Sequence, residues 1–417
     1  MHVLFFTHIF PYPLNEGGKV AQFVALQQLA LHHRVTLVSI DSPTSQKEAA
    51  ALAKVLPSVS IQLLGATESV ATKKPTLWQK YLGIAHWELT KYLQKGYAKD
   101  GILDNPFFIQ PVKPRSEYFF LQWQQLLITL QPDCIQVDFV DNADIALMTP
   151  PSIPTLLVLH DLRYASVAQA ATKANKQHAY TDYLQRVVKD SELAYLANFS
   201  ALITFSAQDA ARLNKLSVPV YQVPFAIPQE RFIPIKPSKS KAIRSLLFIG
   251  PDHHYPNYDA VAWYATALAE TVYRQFGIIL QVVGKWSQAN QQQFSQYPGI
   301  QFKGFVDDLT SISQNAALLV PLRVGSGIRT KIMEAFAMGI PVITTSIGGE
   351  GIDAQNGKEW LIGNTPEELF DAITHILTTN IAETLVVQAQ EYALQHFTPE
   401  VVGEKREKIL QYLVSKK

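Results

Sequence analysis

Short apolar runs alternate with longer stretches whose apolar residues recur at helical spacing, the pattern of helices packed on parallel sheets. In the first half the apolar runs predict strands at 3–6, 34–39, 60–64, 134–137, 155–159 and 201–204. Between the first two, Val20, Phe23, Val24, Leu26 and Ala30 recur on one face of a helix starting near Gly18. Pro219, Pro224, Pro228, Pro234 and Pro237, with a polar run over 236–241, predict an interdomain linker between 223 and 242. The pattern then restarts with a strand ending at Gly250, followed by strands at 278–283, 301–303, 317–321, 341–344 and 360–362. Two consecutive doubly wound, Rossmann-like α/β units are expected. Ligands of such sheets bind beyond the carboxyl ends of the strands, so the natural site is a cleft between the two units.

Composition narrows the class. With 417 residues, 47% hydrophobic and 17% charged, the chain has apolar material for two cores and no signature of disorder. A formal net charge of +1 gives no general attraction to nucleic acid, so none is expected as a partner. Cys134 is the only cysteine, which excludes an intrachain disulfide and a cysteine zinc site. Residues 1–6 lack a basic region and their apolar run breaks by Pro11 and Pro13, reading as a buried strand rather than a signal peptide. No run of eighteen or more apolar residues occurs, and a soluble, cytoplasmic protein is expected. Neither half carries G-x-G-x-x-G after its first strand, which weakens a dehydrogenase reading. The histidines, including His253 and His254, lack an accompanying carboxylate set, so no metal is expected.

The densest chemistry lies in 321–351. A strand ends at Pro321, Gly325, Ser326 and Gly327 make a loop, and a helix is predicted over 328–338 with Gly339 closing it. Glycine amides and a helix N-terminus favour an anion such as a phosphate. Arg329 and Lys331 place two cations where a helix ordinarily prefers acidic residues, an arrangement that costs stability unless an anion binds. Glu334, three residues beyond Lys331, is placed to accept hydrogen bonds from ribose hydroxyls, or simply to pair with Lys331 on a helix face.

The run Gly325, Gly327, Arg329, Lys331, Glu334-Ala335, Ala337, Gly339, Pro341-Val342 resembles the donor-site signature of the retaining glycosyltransferases of family 4, which have the GT-B fold. The resemblance continues through Phe248-Ile249-Gly250, Pro256-Asn257-Tyr258-Asp259, Val282-Val283-Gly284-Lys285, Lys303-Gly304-Phe305-Val306 and Thr344 to Gly351. In the first half it rests on Pro13 to Gly18 and on Leu159-His160-Asp161, and it is looser over 42–131. It implies two Rossmann-like domains facing each other across a cleft, an acceptor-side domain over 1–225 and a donor domain over 226–395. A last helix within 396–417 would return to the first domain. Arg329 and Lys331 would hold the donor diphosphate, Glu334 the ribose, and Gly17 and Gly18 the opposite wall. Gly348, Gly349, Glu350 and Gly351 would lie near the sugar or phosphates, and Phe305 and Val306 near the base. Two departures stand out. Ser326 occupies the place of an expected glutamate, and 251–255 lacks the usual arginine and lysine, leaving Arg329 and Lys331 to supply the charge.

By that resemblance the reaction moves a sugar from a nucleotide-diphosphate sugar to a glycan or lipid-linked acceptor with retention, in surface polysaccharide or glycolipid synthesis, with no cofactor. The leaving diphosphate gains negative charge in an oxocarbenium-like transition state, which fixed cations stabilise. His160, at a strand end, would contact the sugar or orient the acceptor hydroxyl, and Asp161 would serve as an acceptor-side base or as a cap. Residues 73–100 interleave lysines with aromatics, which suits either a helix resting on the inner face of a membrane or one packed on the first domain. A GT-B nucleotide-sugar epimerase and a non-catalytic nucleotide-sugar or glycan-binding module remain as alternatives.

Overall fold

A computed structural model describes residues 1–66, 112, 114–165, 167–168, 179–235, 242–306, 309–325 and 327–416. Ser326 and the basic–aromatic segment 73–100 lie outside the described residues.

The first domain is a seven-stranded parallel sheet, β1 (His2–Phe6), β2 (Arg34–Ile40), β3 (Val59–Leu64), β4 (Cys134–Asp138), β5 (Thr155–Leu159), β6 (Ala201–Thr204) and β7 (Val220–Gln222), in the order β3-β2-β1-β4-β5-β6-β7. Its helices are α1 (Gly17–His32), α2 (Pro43–Val55), α3 (Glu117–Leu130), α4 (Ala179–Leu196) and α5 (Ala207–Arg212), with a 3-10 segment over Val140–Met148. The central strands β1, β4, β5 and β6 are buried along their whole length, which is why they read as mostly apolar runs, with buried Gln136 and Asp138 the exceptions in β4. The sequence pattern misses β7, a half-exposed edge strand of three residues with no apolar run to signal it.

The second domain has six parallel strands, β8 (Ser245–Ile249), β9 (Ile279–Val283), β10 (Ile300–Gly304), β11 (Ala316–Val320), β12 (Val342–Thr344) and β13 (Leu361–Ile362), in the order β10-β9-β8-β11-β12-β13. Around it lie α6 (Tyr255–Ala267), α7 (Ala269–Phe276), α8 (Gln288–Phe294), α9 (Leu309–Ser313), α10 (Thr330–Met338), α11 (Pro366–Thr378) and α12 (Ile381–His396). In both sheets the strand order reverses beside the first strand, between β1 and β4 and between β8 and β11. These are the switch points where a doubly wound sheet leaves a crevice at its carboxyl edge.

The last helix, α13 (Pro399–Ser415), packs on α1 and β4. Its Val402, Ile409, Leu410 and Leu413 join the same apolar core as Val24 and Leu26 of α1. The proline-rich stretch after β7 is also packed. Val223, Phe225, Ala226 and Ile227 are buried, and the Ile227 amide donates to Phe397 O at 2.8 Å. Gln390 of α12 donates to both Ile233 O and Ala337 O at 2.7 Å, tying the stretch to α10. Among the described residues no helix is long and apolar enough to cross a membrane.

Candidate active site

The site is built where the two carboxyl edges meet. From the second domain, β11 ends in the loop carrying Gly325 and Gly327, whose φ values of +114° and +80° favour glycine. A methyl group at Gly325 would lie 2.8 Å from Arg329 Nη2, so the arginine folds over this glycine. The helix begins later than the apolar spacing predicts. Arg329 has extended φ and ψ of −92° and 92° and is the N-cap of α10, and its Nη1 donates to Gly327 O at 2.9 Å. It is therefore not inside the first turn as expected. Burial pulls its pKa down, while Glu350 and Asp209 counter that pull.

Lys331 reaches back from the first turn of α10 to the end of β8. Its ammonium donates to Ile249 O and to Asn257 Oδ1, the latter at 3.1 Å, and lies 4.7 Å from the centre of the Phe248 ring. Its surface is only half-buried, yet few waters can gather round it so deep in the cleft. Burial, then the Arg329 charge, push its pKa down to about 7. His254, exposed at the start of α6, is held at about 4 by curtailed hydration and by Lys331 and Arg329. One turn along α10, burial raises the pKa of the Glu334 carboxyl against the pull of Arg231. The motif residues Asn257 and Asp259 acquire distinct tasks. Asn257 receives Lys331, whereas Asp259 takes Arg323 in a two-pronged pair at 2.6 and 3.1 Å that braces the strand end below the glycine loop.

The first domain supplies the facing wall. Gly17 opens α1, and a methyl group there would lie 2.8 Å from the hydroxyl of Thr330, the first residue of α10. Two helix N-termini thus converge on one point. Neither has a side-chain cap or an acidic residue in its first turn. Two positive dipole ends thus lie beside Arg329 and Lys331, an arrangement that suits an anion, with Glu16 as the acidic N-cap of α1.

His160 stands next to it. Adjacent strands β4 and β5 pair Asp138 with Val158, so the carboxylate ending one strand meets the histidine following the other. His160 Nε2 lies 2.9 Å from Asp138 Oδ2, and Gln136 Nε2 donates to the other oxygen at 2.9 Å. A carboxylate oxygen accepts, so the contact suits the tautomer with the proton on Nε2, which leaves Nδ1 as an acceptor. A methyl group at Gly18 would lie 3.7 Å from that Nδ1. The ring stacks on Phe139 at 3.8 Å and meets the edge of Phe205 at 5.0 Å. Phe139 holds φ of +69°, a strained conformation for a bulky residue, kept by this packing. Asp161 faces the cleft, where burial raises its pKa against Arg163 and His160; its surface is exposed, but the surrounding walls limit its hydration.

The 346–351 loop is held by contacts of its own. The Gly348 and Gly349 amides are engaged by Thr345, at 2.8 and 2.9 Å. Added methyl groups would strike Thr344 and Val320 O at Gly348, and the Trp360 ring at Gly349. These two glycines are packing positions whose amides are already engaged within the loop. Gly351 packs against Ser206 of the first domain, and Glu350 pairs with Arg212 at 3.2 Å across the cleft. Phe305 and Val306 follow β10 at the same carboxyl edge, with Phe305 exposed. Sequence reasoning missed Asp138, Phe139, Asp209 and Arg212. Asp138 directly follows a recognised strand, but its partner depends on which strands are neighbours.

Residues 243–379 match the family of glycosyl transferases group 1. None of the curated proteins compared matches the chain in sequence. Solved structures match it over nearly its whole length. Sucrose-phosphate synthase from Thermosynechococcus elongatus has a TM-score of 0.67 at 15% identity, covering 100% of both chains. Anabaena HepE in complex with UDP-glucose has 0.64 at 12%, covering 99% of this chain and 100% of that one. S. aureus TarM in complex with UDP, fondaparinux and α-GlcNAc-glycerol has 0.65 at 11%, covering 98% and 99%. The fold is GT-B. At these identities the structural likeness is one of fold, and the group 1 match lies in the second domain, which carries α10 with Arg329 and Lys331. Within the GT-B frame, both helix N-termini open into the interdomain cleft.

Proposed function

We propose that the protein is a retaining glycosyltransferase that uses a nucleotide-diphosphate sugar as donor and a glycan or lipid-linked acceptor. The observation that carries this reading is the convergence of two uncapped helix N-termini, α1 and α10, beside Arg329 and Lys331. The group 1 match supports it, as do structural neighbours whose complexes contain UDP or UDP-glucose.

In the proposed reaction the diphosphate sits at the helix ends, with Arg329 and Lys331 against its oxygens and Glu334 toward the ribose. The bond from the anomeric carbon to the diphosphate oxygen breaks, and the charge left on that oxygen is met by fixed donors that need not reorganise. The acceptor oxygen bonds to the same carbon from the same face, and its proton passes to the leaving diphosphate. His160, fixed by Asp138 and Phe139, offers Nδ1 to a hydroxyl of the sugar or acceptor. Arg329, Lys331 and the helix dipoles supply the positive charge without calling on a metal. We place the activity in the cytoplasm, in surface polysaccharide or glycolipid synthesis.

The test is a panel of nucleotide sugars, followed by thermal shift and by donor turnover. Stabilisation by at least one nucleoside diphosphate and turnover lost in Lys331→Ala support the reading. Absence of any shift across the panel sinks it. Binding without turnover across acceptors would instead identify a non-catalytic binding module.

A further inference from the structure

His160 and Asp161 leave β5 in a sharp turn that touches the opposite domain. A methyl group at Gly327 would lie 3.3 Å from His160 O and 3.9 Å from Asp161 Cβ. The position of this turn therefore sets how the histidine wall meets the donor loop. Backbone N–H groups of this turn that point into the protein need an acceptor there.

That acceptor comes from α4. Glu192 has no exposed surface, and its two carboxylate oxygens each take one backbone N–H, from Arg163 at 3.1 Å and from Tyr164 at 3.0 Å. A fully buried carboxylate is costly unless hydrogen bonds compensate it, and among the described residues the turn provides them. Leu162, fully buried between Asp161 and Arg163, anchors the same turn from its apolar side. The Arg163 side chain extends the link by donating to Asp141 in the 3-10 segment that follows Phe139. One buried group on α4 thus connects the turn that bears His160 and Asp161 to the frame of the first domain.

We propose that Glu192 is a positioning residue that fixes the His160–Asp161 turn against the donor loop for sugar transfer. The proposal rests on the glycosyltransferase reading for its catalytic consequence, but its structural part is independent of it. Ionised Glu192 accepts both amides; protonated, one oxygen becomes a donor and opposes one of them. Burial, with Asp161 nearby, raises its pKa to about 7 against the two amide bonds and Arg163, so the grip is within reach of titration near neutrality. Asp161 and Arg163 face it from the turn, and the Tyr164 phenol, its pKa raised mainly by burial, also feels its charge.

The full-length protein and its Glu192→Gln variant test this by amide exchange and by kinetics. The amide has one acceptor oxygen, so exchange over 161–165 is expected to quicken about tenfold while a distant segment such as β8 keeps its rate. With an identified donor, kcat should fall about tenfold or more with donor KM within about twofold, because the diphosphate contacts lie elsewhere. Exchange over 161–165 equal to that of the unsubstituted protein overturns the proposal. So does exchange quickened throughout the protein, which would mark a general loss of stability, or a raised KM with unchanged kcat. If no donor is turned over, the functional reading fails and the local exchange result alone decides whether Glu192 holds the turn.

Discussion

Arg212 of α5 and Glu350 of the 346–351 loop form an ion pair at 3.2 Å across the interdomain cleft, while Arg212 also holds Asp209 at 2.7 Å. Glu350 and Asp209 are the carboxylates that support the charge of buried Arg329. A diphosphate must compete with them. Arg212 offsets both carboxylates and so lowers the repulsion an arriving anion meets. Arg212→Gln is therefore expected to weaken UDP binding about fivefold, and Glu350→Gln to leave it equal or tighter. The size reflects a partly exposed pair worth about 1 kcal/mol. Titration calorimetry of both variants checks the opposite signs; equal weakening by both would mean that Glu350 itself contacts the ligand.

Lys331 links donor binding to pH. With its pKa near 7, much of it is neutral at pH 8, and a bound diphosphate restores the charge by drawing a proton from solution. UDP binding at pH 8 should take up protons, and affinity should fall as pH rises above 7. Calorimetry in buffers of different ionisation enthalpy measures the uptake directly, and a slope of zero counts against this role.

The same lysine should limit the stability of the unliganded protein. Its folded pKa lies below the ordinary lysine value of 10.5, so the unfolded chain binds the proton more tightly between about 7 and 10.5. Stability from this group consequently rises with pH through that window, and the cost is fully present below 7. Lys331→Met is expected to raise stability by on the order of 1 kcal/mol at pH 6.5, discounted for its half-exposed surface. It should also weaken UDP binding by roughly 1.5–3 kcal/mol. Thermal melts with and without UDP read both effects; a lower melting temperature for the unliganded variant contradicts the first.

His160 should matter to turnover rather than to diphosphate binding. His160→Ala is expected to lower kcat by about 10²-fold or more while UDP affinity stays within about twofold. Asp138→Asn keeps the shape but lets the amide donate to Nε2, which shifts the ring proton to Nδ1 and should cost a comparable factor. Steady-state kinetics on both variants separate the two contributions.

Gly327→Ala tests the crossing of the cleft. With φ at +80°, an alanine pays about 1–2 kcal/mol in backbone strain, and its methyl lies 3.3 Å from His160 O. Donor KM should rise with a lowered melting temperature. A melting point unchanged from that of the unsubstituted protein would show that the loop relaxes instead.

Much of the fold was legible because buried parallel strands leave apolar runs, as at β1, β5 and β8. The proposed anion site was legible for a local reason. Gly325, Gly327, Arg329 and Lys331 sit within a few residues of one strand end, and cations at a helix start are informative on their own. Where that helix begins was not, because the bond from Arg329 to Gly327 O competes with helical backbone geometry.

The sequence by itself determined the two α/β units and the loop of glycines and cations in the second, since both arise from neighbours in the chain. Only the tertiary structure decided that α1 and α10 point their N-termini at one spot, and that Gly348 and Gly349 face Thr344 and Trp360 rather than the cleft. It likewise joined Asp138 to His160, Glu192 to the turn after them, and Arg212 to Glu350. Each of those pairs spans separate elements, and the order of strands and the approach of the domains set which of them meet. Spacing along the chain carries no record of that order.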